Sequence, residues 1–264
     1  MNLQLNGKTA LVTGSTAGIG FAIAQTLASE GASVMVNGRT DRRVDAALKK
    51  IHTSGAQGKV QAIVADLGTA EGVRRVIERF PQLDILVNNL GIYEPKPFEQ
   101  ISDDDWQRFF EVNVLSGVRL SRHYLPGMKE RNWGRIVFIS SESAVQIPTE
   151  MIHYGMTKTA QLAISRGLAE TTEGTKVTVN TVLAGPTASE GVSNFVRRLA
   201  QDQNTDVATV EKEMFRSVRP TSLLKRFATP EEVAALVVFV CSPLSSATNG
   251  AALRADGGVV RSIL

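Results

Sequence analysis

A single cysteine, Cys241, in 264 residues leaves no partner for an intramolecular disulfide. That excludes a secreted scaffold stapled by cystines and fits a reducing, cytoplasmic setting. No stretch approaches 18 consecutive apolar residues, so no membrane-spanning helix is expected. Met1 to Lys8 offer neither the basic cluster nor the apolar run of a signal peptide. The three histidines, His52, His123 and His153, lack ligand spacing, and no metal site is expected. Charge of one sign is also scarce: the net charge is only +3, with Lys and Arg interspersed among Asp and Glu. Neither a basic stripe nor a nucleic-acid-binding motif is present, and nucleic acid is not expected as a partner.

What is present is an alternation of short β-branched runs with longer helical patterns, which reads as βαβ units around a parallel sheet. Strands are expected at Thr9–Val12, Ser33–Asn37, Val60–Val64, Ile85–Asn88, Arg135–Ser140, Val177–Val182 and Ala252–Ala255. Several are continuously apolar, as strands buried on both faces should be. Helices are expected at Gly18–Ser29, Asp41–His52, Ala70–Arg79, Asp104–Glu130, Met151–Thr172 and Pro230–Cys241. The fold class is α/β: a doubly wound, Rossmann-type, seven-stranded parallel sheet with helices on both faces, in one domain over residues 1–264. The stretch from about 186 to 226 breaks the alternation. It carries helix-forming pieces but no strand, where a lid over a ligand crevice would sit.

Between the first strand and first helix lies Thr13-Gly14-Ser15-Thr16-Ala17-Gly18-Ile19-Gly20. Gly14 permits a tight turn, Gly18 a close backbone approach to a pyrophosphate, and Gly20 close helix-to-strand packing, with the helix N-terminus facing the anion. At the end of the second strand, where a NAD-selective site places a carboxylate, stands Arg39. A guanidinium fork suits a 2′-phosphate, so NADP(H) is favoured and NAD(H) is the alternative. Arg42 and Arg43 add charge there or are solvated first-turn residues of the next helix. Further on, Tyr154 and Lys158 are four apart on one helix face, where a cation favours phenolate and draws the tyrosine toward general acid/base work.

With Ser141 just past the fifth strand and Asn113 in the long helix before it, the sequence resembles the short-chain dehydrogenase/reductase family over essentially its whole length. The family's glycine loop is similar to Gly14–Gly20, its Asn-Asn-Ala-Gly segment to Asn88-Asn89-Leu90-Gly91, and its Tyr-x-x-x-Lys to Tyr154 and Lys158. The family's serine, thirteen positions before the tyrosine, selects Ser141 over Ser140. Asp66 matches the adenine-contacting aspartate.

The resemblance implies a hydride transfer between a nicotinamide cofactor and a small carbonyl or alcohol. Tyr154 would be the general acid/base and Ser141 the donor to the substrate oxygen. Lys158 would depress the Tyr154 pKa and hold the nicotinamide ribose, and Asn113 would position a water linking Lys158 to solvent. Expected cofactor contacts are Gly14, Ser15, Thr16, Gly18, Ile19, Gly20, Arg39, Asp66, Leu67, Asn89, Gly91, Tyr154, Lys158, Gly185, Thr187 and Ser189.

Two departures stand out: Leu90 replaces the family's alanine, and Ala184-Gly185-Pro186 replaces its Pro-Gly order. Flanking the catalytic groups, Glu142, Ser143, Ile147, Glu150 and His153, with the lid from Ser189 to Ser222, are the candidate substrate contacts; Glu142 and Glu150 either disfavour an anionic head group or are solvated or paired with Arg. The C-terminal pattern from Arg226 to Gly258 resembles the bacterial 3-oxoacyl-acyl-carrier-protein reductase branch and implies a homo-oligomer, tetramer or dimer. A catalytically silent dinucleotide sensor is the alternative function. It would lack Tyr154, Lys158 or Ser141, and all three are present.

Overall fold

The computed structural model describes residues 2–263. Seven parallel strands form one sheet: β1 (Thr9–Val12), β2 (Ser33–Gly38), β3 (Val60–Val64), β4 (Ile85–Asn88), β5 (Gly134–Ser141), β6 (Val177–Ala184) and β7 (Ala252–Ala255), in the order β3-β2-β1-β4-β5-β6-β7. The winding reverses between β1 and β4, which pair in register from Ala10↔Ile85 to Val12↔Val87. The crevice at the carboxyl ends of these two strands is where a doubly wound sheet receives ligands.

The helices lie on both faces: α1 (Gly18–Ser29), α2 (Asp41–Thr53), α3 (Ala70–Arg79), α4 (Asp103–Phe110), α5 (Ser116–Glu130), α6 (Ile152–Glu170), α7 (Glu190–Asp202), α8 (Val207–Glu213) and α9 (Pro230–Cys241). Side chains alternate across a strand, so Ala10 and Val12 enter the layer beneath α1 and α9, with Ile23, Leu27, Val233 and Val237. Leu11 enters the opposite layer, with Val73, Val76, Leu120 and Met128 of α3 and α5. Along the central strands β1, β2, β4, β5 and β6 both faces are dry, while the edge strands β3 and β7 are partly exposed, and the continuously apolar central strands follow from that. No helix among the described residues is long and apolar enough to cross a membrane.

The expected helix from Asp104 to Glu130 is not one helix. Ser102 starts α4 with a reciprocal capping box to Asp105. After Phe110 the chain widens into a π turn over Glu111–Leu115 before resuming as α5. Such insertions concentrate at functional sites, and this one contains Asn113. The sixth helix likewise begins at Ile152, after a 3-10 turn at Thr149–Met151.

The excursion after β6 carries α7, α8 and a second π turn at Met214–Val218. It has a small core of its own, Val196, Ala200, Val210, Phe215 and Phe227, in which the Phe215 and Phe227 rings meet edge to face at 5.2 Å.

Candidate active site

The glycine loop is built by hydrogen bonds from three strands. Asn37, buried at the end of β2, accepts from Gly14 N at 3.0 Å and donates to the carbonyls of Ile63 (3.3 Å) and Ala65 (3.1 Å). From the end of β4, Asn89 Nδ2 donates to the carbonyls of Thr13 (2.9 Å) and Gly14 (3.1 Å). Gly14 and Gly18 take φ of 62° and 57°, backbone that favours glycine. A Cβ on Gly20 would lie 2.6 Å from the Gly14 carbonyl oxygen.

At the head of α1, Ala17 supplies no side-chain cap and the first turn holds no acidic residue. Its N–H groups and dipole are therefore available to an anion, and the loop fits a dinucleotide's pyrophosphate. Ile19 lies in that first turn, and Thr16 packs against Gly38, where a Cβ would come 2.5 Å from Thr16 Cγ2. Arg39, the next residue, is exposed at the rim.

Several expected cofactor contacts have their polar groups committed elsewhere. Ser15 is fully buried: its Oγ donates to Val12 O at 2.7 Å and accepts from Asn37 N at 2.8 Å, and its N–H donates to Asn37 O. Its hydroxyl therefore shapes the loop and does not face a ligand. Ser189 Oγ caps α7 while its Cβ stands over Gly18. Thr187 Oγ1 donates to Gly185 O at 2.9 Å, and Gly185 itself is required by the chain: a Cβ there would come 2.5 Å from Asp256 O. Asp66 is exposed beyond β3 and accepts from Gly68 N at 3.0 Å, with Leu67 buried behind it. Leu90 packs its Cδ1 beside Gly14 and joins the core under α3 and α5.

The four expected catalytic residues converge past the ends of β4 and β5. Asn113 holds the β4 loop through both side-chain atoms: Oδ1 accepts from Ile92 N at 2.8 Å, and Nδ2 donates to Ile92 O and to Thr157 Oγ1, each at 3.0 Å. Gly91 lies between Asn113 Oδ1 and Lys158 Nζ, which a Cβ would meet at 3.5 Å and 3.4 Å.

Lys158 is buried, and its Nζ donates to Ile139 O at 2.9 Å and Gln161 Oε1 at 3.3 Å. Among the described residues no carboxylate forms an ion pair with it, and burial pulls its pKa down from 10.5 to about 8. Burial, reinforced by the charge of Glu142, holds the Tyr154 phenol well above its ordinary value, while the Ser141 hydroxyl pulls the other way. For Tyr154 the effect of burial outweighs any pull from the Lys158 ammonium, and the net shift is upward. The ammonium is turned toward Ile139 O, 5.6 Å from the centre of the phenol ring, and the phenol keeps its proton.

Three residues escaped the sequence reading. Gln161 is buried between Lys158 and the π turn: its Oε1 accepts from Lys158, and its Nε2 donates to the Asn113 carbonyl at 2.6 Å. The Gln161 amide thus bridges these two groups. Tyr93 meets the Tyr154 ring edge-on at 6.4 Å and touches the start of α7 at Gly191.

The third is Arg219, just past the second π turn. Its Nε donates to Glu142 Oε1 at 3.0 Å and its Nη1 to Glu150 Oε1 at 3.3 Å. Both candidate acidic residues are therefore partnered. Ser141 Oγ accepts from Ser143 N at 3.1 Å and donates to the other oxygen of Glu142. Ile147 is exposed and packs beside Gly155 of α6, where a Cβ would come 2.8 Å from Ile147 Cγ2.

His153 is not substrate-facing: its ring is buried against Phe109 at 4.0 Å and Trp106 at 6.0 Å, and burial lowers its pKa. No group of histidine, cysteine and carboxylate side chains among the described residues is arranged to hold a metal ion.

Comparison with known proteins gives three consistent findings. The sequence model described as short chain dehydrogenase matches residues 8–200. Over their full lengths, the chain is 52% identical to the uncharacterized oxidoreductase YvaG of Bacillus subtilis. It is 33% identical to the 3-oxoacyl-[acyl-carrier-protein] reductase FabG of Aquifex aeolicus, over 98% of this chain and 100% of that one. In three dimensions it is similar to L-sorbose reductase from Gluconobacter frateurii complexed with NADPH and L-sorbose, with a TM-score of 0.93, 32% identity and full coverage of both chains.

Proposed function

The chain belongs to the short-chain dehydrogenase/reductase family of oxidoreductases, acting on CH–OH or C=O groups with NAD(P), and from that premise we propose that it is an NADP(H)-preferring carbonyl reductase with Tyr154 as its general acid/base. The observation that carries this reading is the convergence of Ser141, Tyr154, Lys158 and Asn113 beside the glycine cradle. The bound nicotinamide cofactor supplies or accepts the hydride.

The proton steps belong to the protein. Tyr154, held protonated by burial, gives the proton of its Oη to the substrate oxygen in reduction and takes it back in oxidation. Ser141 Oγ donates a hydrogen bond to the same oxygen as charge develops on it. Lys158 contributes a buried positive charge that stabilises the tyrosinate left behind, and Asn113 and Gln161 hold that ammonium and the β4 loop in place. Arg39, directly after Gly38, supports NADP(H) over NAD(H) by its suitability for a 2′-phosphate, as does the NADPH bound by the similar sorbose reductase. The excursion over 186–226 serves as the substrate lid, joined to the catalytic wall through Arg219.

Fluorescence titration with NADPH and NADH, followed by NADPH oxidation against a panel of ketones and aldehydes, tests the reading. NADPH binding at lower concentration than NADH, with turnover of at least one carbonyl, is expected. Failure of either cofactor to bind at millimolar concentration would overturn it.

A further inference from the structure

The hydrogen bond that Ser141 makes to Glu142 points to the substrate's chemistry. A serine hydroxyl has one proton to give, and Ser141 gives it to Glu142 while accepting from Ser143 N. Glu142 is 5% exposed. Its Oε1 is held by Arg219 Nε, which leaves Oε2 to Ser141. Through the Ser141 hydroxyl, the carboxylate borders the reaction centre.

For Ser141 to turn its proton onto a substrate carbonyl, Glu142 Oε2 must lose its donor. An acceptor stranded in a buried carboxylate is costly. A simple ketone brings nothing to replace it. A ketone with a hydroxyl on the adjacent carbon does: its two oxygens lie about a hydrogen-bond length apart when they point the same way, matching a pair of neighbours such as Ser141 Oγ and Glu142 Oε2.

Resting on the reductase reading above, we propose that the site selects α-hydroxy ketones, and in the reverse direction vicinal diols. The substrate's α-hydroxyl donates to Glu142 Oε2 and thereby releases the Ser141 proton to the carbonyl oxygen. Glu142 is then a substrate-binding and specificity-determining residue, and Arg219 positions it. The same carboxylate disfavours a substrate carrying an anion at that carbon, because two negative charges would share one buried corner.

Matched isomers test this. With saturating NADPH, 1-hydroxybutan-2-one and 1-methoxypropan-2-one have the same composition and an oxygen on the same carbon, but only the first can donate a hydrogen bond. The hydroxy ketone is expected to have a kcat/KM higher by on the order of ten- to hundredfold. Glu142→Gln, which keeps the shape but removes the charge, is expected to shrink that ratio to a few-fold while leaving the NADPH dissociation constant unchanged.

Equal turnover of the two isomers by the wild-type protein overturns the proposal, as does a Glu142→Gln enzyme that keeps the full ratio. A protein that binds NADPH and reduces unfunctionalised ketones but not the hydroxy ketone overturns the substrate class and leaves the reductase reading standing. A protein that binds neither cofactor overturns both.

Discussion

Lys158 carries a charge that the folded protein holds at a cost, and replacing it exposes that cost as a pH dependence. In the unfolded chain the ammonium keeps its proton up to its ordinary value of 10.5; in the fold, burial brings that down to about 8. Below pH 8 both states are protonated and the penalty is present in full. Between pH 8 and 10.5 the unfolded state binds the extra proton, so raising the pH stabilises the fold. Each pH unit is worth about 1.4 kcal/mol, and the whole interval therefore relieves about 3 kcal/mol.

Lys158→Met, which fits the same slot without the charge, should lack this rise. Burial also raises Tyr154 above its ordinary value of 10.0 and Cys241 from 9.0 to about 12. Those groups lower stability as pH climbs, because the unfolded chain loses their protons first. They are common to both proteins and cancel in the comparison.

The assay is urea unfolding of the ligand-free proteins at pH 7, 8, 9 and 10, followed by the fluorescence of Trp106 and Trp133. The wild-type minus Lys158→Met stability should be flat from pH 7 to 8 and then climb by roughly 2 to 3 kcal/mol by pH 10. Parallel curves across the range would refute a buried ammonium that lacks a carboxylate partner.

Two further outcomes follow from the same geometry. Arg39→Ser should raise the NADPH dissociation constant on the order of ten- to hundredfold while hardly moving that for NADH; an unchanged ratio in fluorescence titration would remove Arg39 from the 2′-phosphate site. Gln161→Leu strands the Asn113 carbonyl and strips one acceptor from Lys158. It should destabilise the fold by about 1 to 3 kcal/mol and start the pH-dependent rise below pH 8, whereas Gln161→Glu should delay that rise by holding the ammonium; the urea series above, repeated on both variants, checks the shift.

The sheet was legible because its signals are local: a dry strand such as Ile85–Asn88 shows itself as an apolar run, and Gly14 and Gly18 mark backbone that other residues adopt poorly. Resemblance then placed Ser141, Tyr154, Lys158 and Asn113 by spacing. The π turn was not legible. One extra residue in a helix shifts the hydrophobic stripe without breaking it, so α4 and α5 read as one helix across Asn113.

Nor did sequence pattern identify Gln161 or Arg219. Gln161 meets the Asn113 carbonyl across 48 residues, and Arg219 meets Glu142 across 77. Pairings at such separations are set by the closed fold. The same limit explains Ser15 and His153: both lie beside functional residues in the chain, yet a buried hydrogen bond turns the first inward and the rings of Phe109 and Trp106 enclose the second. The direction of the Lys158 ammonium likewise depends on Ile139 O, a backbone acceptor that sequence spacing does not reveal.

The most direct test of the account is NADPH oxidation by wild-type protein and Tyr154→Phe with the same carbonyl substrate, NADPH affinity being measured for each. Loss of the phenolic proton should lower kcat by at least about a hundredfold with NADPH binding little changed. A Tyr154→Phe enzyme that retains most of the wild-type turnover would contradict the assignment of the transferred proton to that residue.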